Sequence, residues 1–176
     1  MTTTAPNGWP PAPMATERLI LRAAEARDRP AFIALFSSPE VNVYVGGPQP
    51  REKLEEAMPE VPGQRPGCFV VEREGEMIGQ ITLGCEPPQI DRAAGRAELG
   101  YLFLPQAWGH GYAAEACGAA LDWFDTTRPG EPVVLATQSA NTPSMRLARK
   151  LGFTEAERYE AWGAEQWFGV RAPEVR

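Results

Sequence analysis

The chain contains one histidine, three cysteines and no excess of basic residues: 17 Lys and Arg stand against 23 Asp and Glu, a net charge of −6. Each shortage excludes something. Without a basic face there is little to neutralise a phosphate backbone, so no nucleic acid partner is expected. Cys68, Cys85 and Cys117 are odd in number, widely spaced and without a CxxC pair, and His110 stands alone. That set builds neither a disulfide framework nor a zinc site, so no metal is expected either. Unpaired thiols suit a reducing, cytoplasmic setting. No apolar run reaches the ~20 residues of a membrane span, and residues 1–14 lack the apolar core of a signal peptide, so no membrane partner is expected.

What is present reads as a globular protein. A chain of 176 residues with 43% hydrophobic and 23% charged content can bury a core of its own. Residues 1–15, proline-rich from Pro6 to Pro13, are expected to be a flexible arm, and residues 16–172 a single domain. A first strand is predicted at 18–22. Asp28 is placed to cap a helix that carries Pro30 in its first turn and runs to about Phe36. Short helices follow at 39–47 and 50–59. Strands at 68–73 and 77–83 flank the hairpin signal Glu74-Gly75, and a polar loop over 87–95 leads to a strand at 98–104. The pattern then predicts a helix over 112–125, a strand at 132–136 and a helix over 141–151 that ends at Gly152. A terminal hairpin is expected with strands 155–162 and 165–170 around Gly163-Ala164. Strands and helices interleave along one chain, which predicts a mixed α/β or α+β sheet.

The densest signal lies between the 98–104 strand and the next helix, in Gln106-Ala107-Trp108-Gly109-His110-Gly111-Tyr112-Ala113. Gly109 and Gly111 permit a sharp bend with no Cβ in the way of an approaching anion. A helix start of this kind offers bare N–H groups and a positive dipole end, the chemistry a phosphate or pyrophosphate needs. The same letters satisfy the dinucleotide fingerprint G-x-G-x-x-A. That fingerprint expects a carboxylate about 20 residues later, after the next strand. Here the next strand ends Ala136-Thr137-Gln138.

A second motif follows one strand later: Asn141-x-x-Ser144 leading into Arg149-Lys150-Leu151-Gly152-Phe153. Glycine loop and Asn-x-x-Ser together, in this order, resemble the GNAT superfamily of acetyl-CoA-dependent N-acetyltransferases. The opening Thr16-Glu17-Arg18-Leu19-Ile20-Leu21-Arg22 narrows the resemblance to the branch holding the bacterial ribosomal-protein N-terminal acetyltransferases. The likeness covers about residues 16–170.

The resemblance implies a mostly antiparallel central sheet with a splayed strand pair, flanked by helices. It implies that backbone N–H groups of residues 107–113, with Gln106 before them, wrap the pyrophosphate of acetyl-CoA. Trp108 and His110 alternate with the glycines, so their side chains are expected to point away. The pantetheine arm would lie beside Leu102, Phe103 and Leu104, with Asn141 bonding it from the other side. Glu98 would act as base toward the attacking amine. The tyrosine that serves many relatives as thiolate acid is replaced by Ala148, so the acid would be Ser144, as in the ribosomal-protein branch. Asn141 and Ser144 also suit plain helix-capping roles.

For the acceptor, the resemblance implies a primary amine on a small molecule or a protein N-terminus. The site would be framed by the first helices and the terminal hairpin, which supply Tyr44, Glu55, Glu56, Tyr159, Trp162 and Trp167. Relatives of this kind commonly dimerise, so a homodimer is an expectation without an identified interface. A rival of another class is a catalytically silent acyl-CoA-binding module, which would keep the loop and need neither acid nor base.

Overall fold

Alternating apolar residues build an eight-stranded sheet in the computed structural model, which describes residues 9–86, 91–93 and 95–172. In chain order the elements are β1 (Met14–Ala15), β2 (Ile20–Arg22), α1 (Arg29–Ser37), α2 (Pro39–Asn42), α3 (Arg51–Ala57), β3 (Cys68–Arg73) and β4 (Glu76–Leu83). There follow β5 (Ala97–Phe103), α4 (Tyr112–Thr127), β6 (Val133–Gln138), α5 (Thr142–Lys150), β7 (Thr154–Ala161) and β8 (Ala164–Arg171). The sheet order is β1-β2-β3-β4-β5-β6-β8-β7. Every neighbouring pair is antiparallel except β5 and β6. This is the mixed, mostly antiparallel sheet that the sequence implies, and it is not the doubly wound parallel sheet a dinucleotide fold requires.

Two layers of helix cover the sheet. On one face α4 presents Ala116, Cys117, Ala120, Leu121 and Phe124, all buried, to Phe69, Ile81, Leu99 and Phe103. Its alanines let the helix axis lie close to the strands. On the other face α1 packs Phe32 and Leu35 against Val70 and Leu104, with Leu102 and Met58 alongside. A smaller cluster of Ala93, Val134 and Phe168 continues that face over β6 and β8.

Three expectations are corrected. The loose arm does not extend through residues 9–15: Trp9 is buried, edge-on to Phe69 at 4.8 Å and to Trp123 at 5.9 Å, and Met14–Ala15 pairs with β2. Residues 1–8 lie outside the described residues, as do 87–90 and 94 of the polar loop. Asp28 does precede α1, but its carboxylate caps no N–H of that helix and instead closes the capping box of the short 3-10 turn at Ala26–Asp28. It accepts from Arg22 Nη1 and Nη2 at 2.7 and 2.8 Å and from the Glu25 N–H at 2.8 Å. The carboxylate's oxygens are taken by the buried Arg22 guanidinium and by the Glu25 N–H, upstream of α1. The terminal hairpin turns at Trp162-Gly163, one residue earlier than expected, because both residues adopt positive φ (51° and 77°) as a two-residue turn requires.

Candidate active site

β5 and β6 are neighbours only at their start, where Ala97 faces Val133 and Glu98 faces Val134. Beyond that point β5 keeps its pairing with β4 as far as Phe103, and β6 keeps its pairing with β8 as far as Gln138. The two strands therefore splay into a V. Register decides which backbone groups line it. Leu104 N–H donates to Ile78 O and Gly84 N–H to Glu98 O, so Glu98, Gly100, Leu102 and Leu104 turn their N–H and C=O groups toward β4. Tyr101 and Phe103 turn theirs into the V. Across it, Ser139 N–H donates to Glu165 O, which sets the odd residues of β6 toward β8 and leaves Ala136 and Gln138 facing the opening. Of the three residues expected to edge the pantetheine arm, Phe103 thus offers backbone groups to the gap, while Leu102 and Leu104 address β4.

At the open end of β5 the chain makes a short 3-10 turn, Pro105–Ala107, that contains Gln106. It then runs through Gly109 and Gly111, both with φ near +80°, into α4. Among the described residues no backbone carbonyl accepts the N–H groups of residues 109–114; the first such bond is Glu115 N–H to Gly111 O. Those donors and the dipole of a 16-residue helix face one way. A Cβ at either glycine would meet no protein atom within 4 Å at 109 and only the Arg18 side chain, at 3.5 Å, at 111. His110 stacks on Tyr112 with ring centroids 5.2 Å apart, and the Arg18 guanidinium lies 4.6 Å from the Tyr112 centroid while donating to His110 O at 2.9 Å. Arg18 is anchored in turn by Glu115, so the loop is held from β2 outward. The Trp108 side chain does not simply point away: its indole N–H donates to Phe103 O at 2.9 Å, tying loop to strand.

Asn141 is the N-cap of α5, its Oδ1 accepting from Ser144 N–H at 3.4 Å. Ser144 is buried, and its Oγ lies 2.5 Å from the Tyr101 hydroxyl, which crosses from β5 to α5. Burial pushes the Tyr101 phenol up to about 12 against the opposing pull of that bond, so it stays protonated at neutral pH. Tyr101 is the site residue that sequence reading missed. It lies with Leu99 and Phe103 on the α4 face of β5, and nothing in the sequence spacing signals that α5 brings Ser144 to it.

Glu98 lies on the opposite face, at the vertex of the V, close enough to Cys85 and Tyr159 to bear on both. Tyr159 lies under Arg92, whose guanidinium is 3.5 Å from the ring centroid. Tyr44 accepts from Gln138 Nε2 through its carbonyl at 3.2 Å, placing the α2 turn at the open end of β6. Trp162 is 75% exposed at the hairpin tip. Glu55 pairs with Arg51, and Glu56 is exposed. Trp167 cannot line an acceptor site on this face: it is 1% exposed and packs in the core beneath α4 and α5. Burial raises all three thiols, Cys68 to about 11, so none is a ready nucleophile. Among the described residues there is no group of His, Cys, Asp and Glu able to hold a metal ion, and no helix is long and apolar enough to cross a membrane.

Fold and sequence both recur in known proteins. The chain is 32% identical over 156 residues to the uncharacterized protein YkkB of Bacillus subtilis, covering 85% of this chain and 89% of the relative. It is 31% identical over 146 residues to the uncharacterized N-acetyltransferase p20 of Bacillus licheniformis, covering 78% and 80%. Among solved structures, RimL, a ribosomal alpha-N-protein acetyltransferase in complex with coenzyme A, superposes with a TM-score of 0.72 at 17% identity, covering 92% of this chain and 98% of that one. Spermidine N-acetyltransferase from Vibrio cholerae, in complex with coenzyme A and spermine, gives 0.69 at 21%, covering 89% and 96%. The family model described as acetyltransferase (GNAT) domain matches residues 18–154, the stretch that carries both the V and the loop, and the chain belongs to that acetyltransferase family.

Proposed function

We propose that the protein transfers the acetyl group of acetyl-CoA directly to a primary amine. The observation that carries this reading is the V between β5 and β6, where backbone groups of Tyr101 and Ala136 and the N–H groups of Phe103 and Gln138 open onto the N–H groups of residues 109–114, which no backbone carbonyl accepts among the described residues. An amide-bearing arm satisfies the first set as an added strand would, and a diphosphate satisfies the second. Glycine at 109 and 111 leaves room for both. Asn141 uses Oδ1 within its own helix, which leaves its amide N–H groups for a carbonyl of the arm.

The thioester supplies an activated acetyl group and a thiolate leaving group. Ser144 donates a proton toward that sulfur from the α5 side of the V. Tyr101, kept protonated, holds the Ser144 hydroxyl in position and replenishes it. Glu98 works from the other face and takes a proton from the incoming ammonium, directly or through water, since alkylamines have pKa values near ~10. The base and the acid thus flank the gap from opposite sides. The thiols, all raised by desolvation, argue against an acyl-cysteine route, and direct attack needs mainly proximity and orientation. The same thiols fit a reducing, cytoplasmic compartment. RimL acts on a protein N-terminus and the Vibrio enzyme on spermidine, which frames the choice of amine.

Calorimetry with coenzyme A and a thiol-release assay with acetyl-CoA and an amine panel test the reading. Binding with amine-dependent thiol release is expected; no association with coenzyme A in folded protein overturns it.

A further inference from the structure

The stretch before β5 sends two arginines over the Glu98 face of β6, β8 and β7. It begins with the 3-10 turn Asp91–Ala93, whose Ala93 is buried against Val134 and Phe168. Arg92 covers the Tyr159 ring and forms a bidentate pair with Glu157 at 2.9 and 3.0 Å. Arg96 lies 5.2 Å from the Phe168 ring centroid, and its Nη2 donates to Arg92 O at 2.8 Å. The two cations are treated differently. Arg92, Arg158 and Arg171 each have a carboxylate within 3 Å. Arg96 is exposed and forms no ion pair among the described residues. A ring and a backbone carbonyl hold its guanidinium in place without neutralising it.

Register puts that cation beside the V. Phe168 of β8 stands directly opposite Ala136 of β6, and Glu98 of β5 stands opposite Val134. Ala136 is one of the residues that turn main-chain groups into the opening. Val134, Ala136 and Phe168 share one face, so they form an apolar floor with Glu98 on the β5 side and Arg96 above the β8 side. Two strand spacings separate β5 from β8, about 10 Å, and both polar side chains are long enough to reach inward. Across the floor, Glu98 stands close enough to Tyr159 to bear on its phenol. One carboxylate and one guanidinium thus flank the β6 edge of the V from the same face.

We propose that Arg96 anchors the acceptor by a carboxylate, and that the acceptor is a free α-amino acid acetylated on its α-amine. The inference rests on the acetyl-transfer reading above. An α-amino acid carries its ammonium and carboxylate about 3 Å apart on one carbon, which suits a base and a cation facing each other. The carboxylate accepts from the Arg96 edge that Arg92 O does not use, and the ammonium faces Glu98. The nitrogen loses one proton to Glu98 before attack and a second as the C–N bond forms and the C–S bond breaks. The departing thiolate takes one proton from Ser144, and the other reaches solvent. A polyamine brings a second cation toward Arg96. A protein N-terminus offers a neutral amide where the carboxylate belongs, and a phosphate dianion doubles the repulsion from Glu98.

The test is a steady-state comparison with acetyl-CoA and the proteinogenic L-amino acids, spermidine, O-phosphoethanolamine and a serine-starting peptide. The best amino acid is then set against its own amide and its decarboxylated amine. An amino acid is expected to give the highest kcat/KM, with mass spectrometry placing the acetyl group on the α-nitrogen. Its amide and decarboxylated amine should fall at least about 10-fold lower. Arg96→Gln is expected to lower kcat/KM for the amino acid relative to the amide by about 10–100-fold, the worth of a charge-assisted pair. Arg96→Lys, which keeps the charge, should recover most of that loss. Preference for spermidine, phosphoethanolamine or the peptide, or equal losses for amino acid and amide in Arg96→Gln, would overturn the proposal. If coenzyme A binds and thiol is released with one of those other amines, the acetyl-transfer reading stands and only the acceptor assignment falls. No thiol release with any amine removes both.

Discussion

On the α4 side of the V the groups on offer are main-chain N–H and C=O; on the α1 side they are side chains drawn from α1, α3, β4 and the stretch before β3. The first half is set by where glycines fall and how strands register, so it tolerates many side-chain identities. The second depends on which distant residues meet, and a single substitution can change what it recognises. A fold can hence keep one co-substrate while its acceptor varies. The difference predicts that damage to one half should leave the other measurable.

The largest effect should come from breaking the buried ion network under the α1 half. Arg22, Asp28 and Glu72 are 6%, 2% and 8% exposed and joined at 2.7–3.1 Å, with Arg27 reaching Glu72 at 2.6 Å. Asp28→Asn removes one charge of a buried set, and about 3–5 kcal/mol of stability should be lost in urea unfolding. Burial pushes the Asp28 carboxyl up, but bonds from Arg22 and the Glu25 N–H outweigh it and hold the group below its ordinary range. For Glu72 the Arg27 bond leads and the direction is the same. The stability these groups contribute is therefore full above the ordinary carboxylate range and is lost as pH falls through their depressed values. Asp28→Asn should flatten that acid limb. At a temperature where the variant is folded, its affinity for coenzyme A should match the wild type; a parallel loss would mean that the two halves are mechanically one.

Next come Ser144 and Glu98, the two residues proposed to handle protons from opposite sides of the V. Ser144→Ala should lower kcat by about 100-fold with little change in coenzyme A affinity, as for a lost general acid. Tyr101→Phe should cost less, because it removes the positioning of the hydroxyl rather than the hydroxyl. Unchanged turnover in Ser144→Ala would return that residue to its capping role. Glu98→Gln should cost a similar factor and abolish the rise of rate with pH; a rise that persists would move the base elsewhere.

The same division explains how much of the molecule is legible in its sequence. The loop at 106–113, the α4 face and the Asn141 cap are local patterns, set by a handful of consecutive residues, and they fell where expected. The splay followed from resemblance; the register that turns Tyr101 and Phe103 into the V, and Leu102 and Leu104 away from it, depends on β4, some 20 residues upstream. Tyr101 meeting Ser144 and Arg96 meeting Phe168 are long-range encounters with no periodic signature. Trp167 misled because a tryptophan in a terminal hairpin suits a ligand wall as well as a core, and only the strand's facing decides.

On the main-chain half, Gly111→Val tests the loop itself. The residue caps α4 at φ +79°, a region a β-branched side chain enters only under strain of about 1–3 kcal/mol. Coenzyme A affinity should fall by roughly 10–100-fold, and the acceptor should still bind to the apo protein by calorimetry. A variant with unimpaired coenzyme A affinity would show that the diphosphate does not use this turn.

The smallest effect separates a staple from an ornament. Trp108 is 48% exposed, yet its indole N–H donates to Phe103 O, one of the groups that face the V. Trp108→Phe keeps the ring's bulk and deletes that donor. One neutral hydrogen bond is worth about 1 kcal/mol, so affinity for coenzyme A should weaken by about fivefold if the bond aims the loop at the arm's binding edge. Affinity for the acceptor amine should be unchanged. A gain in affinity would be equally instructive: it would mean that the indole competes with the pantetheine arm for the Phe103 carbonyl and must swing aside before the co-substrate can settle.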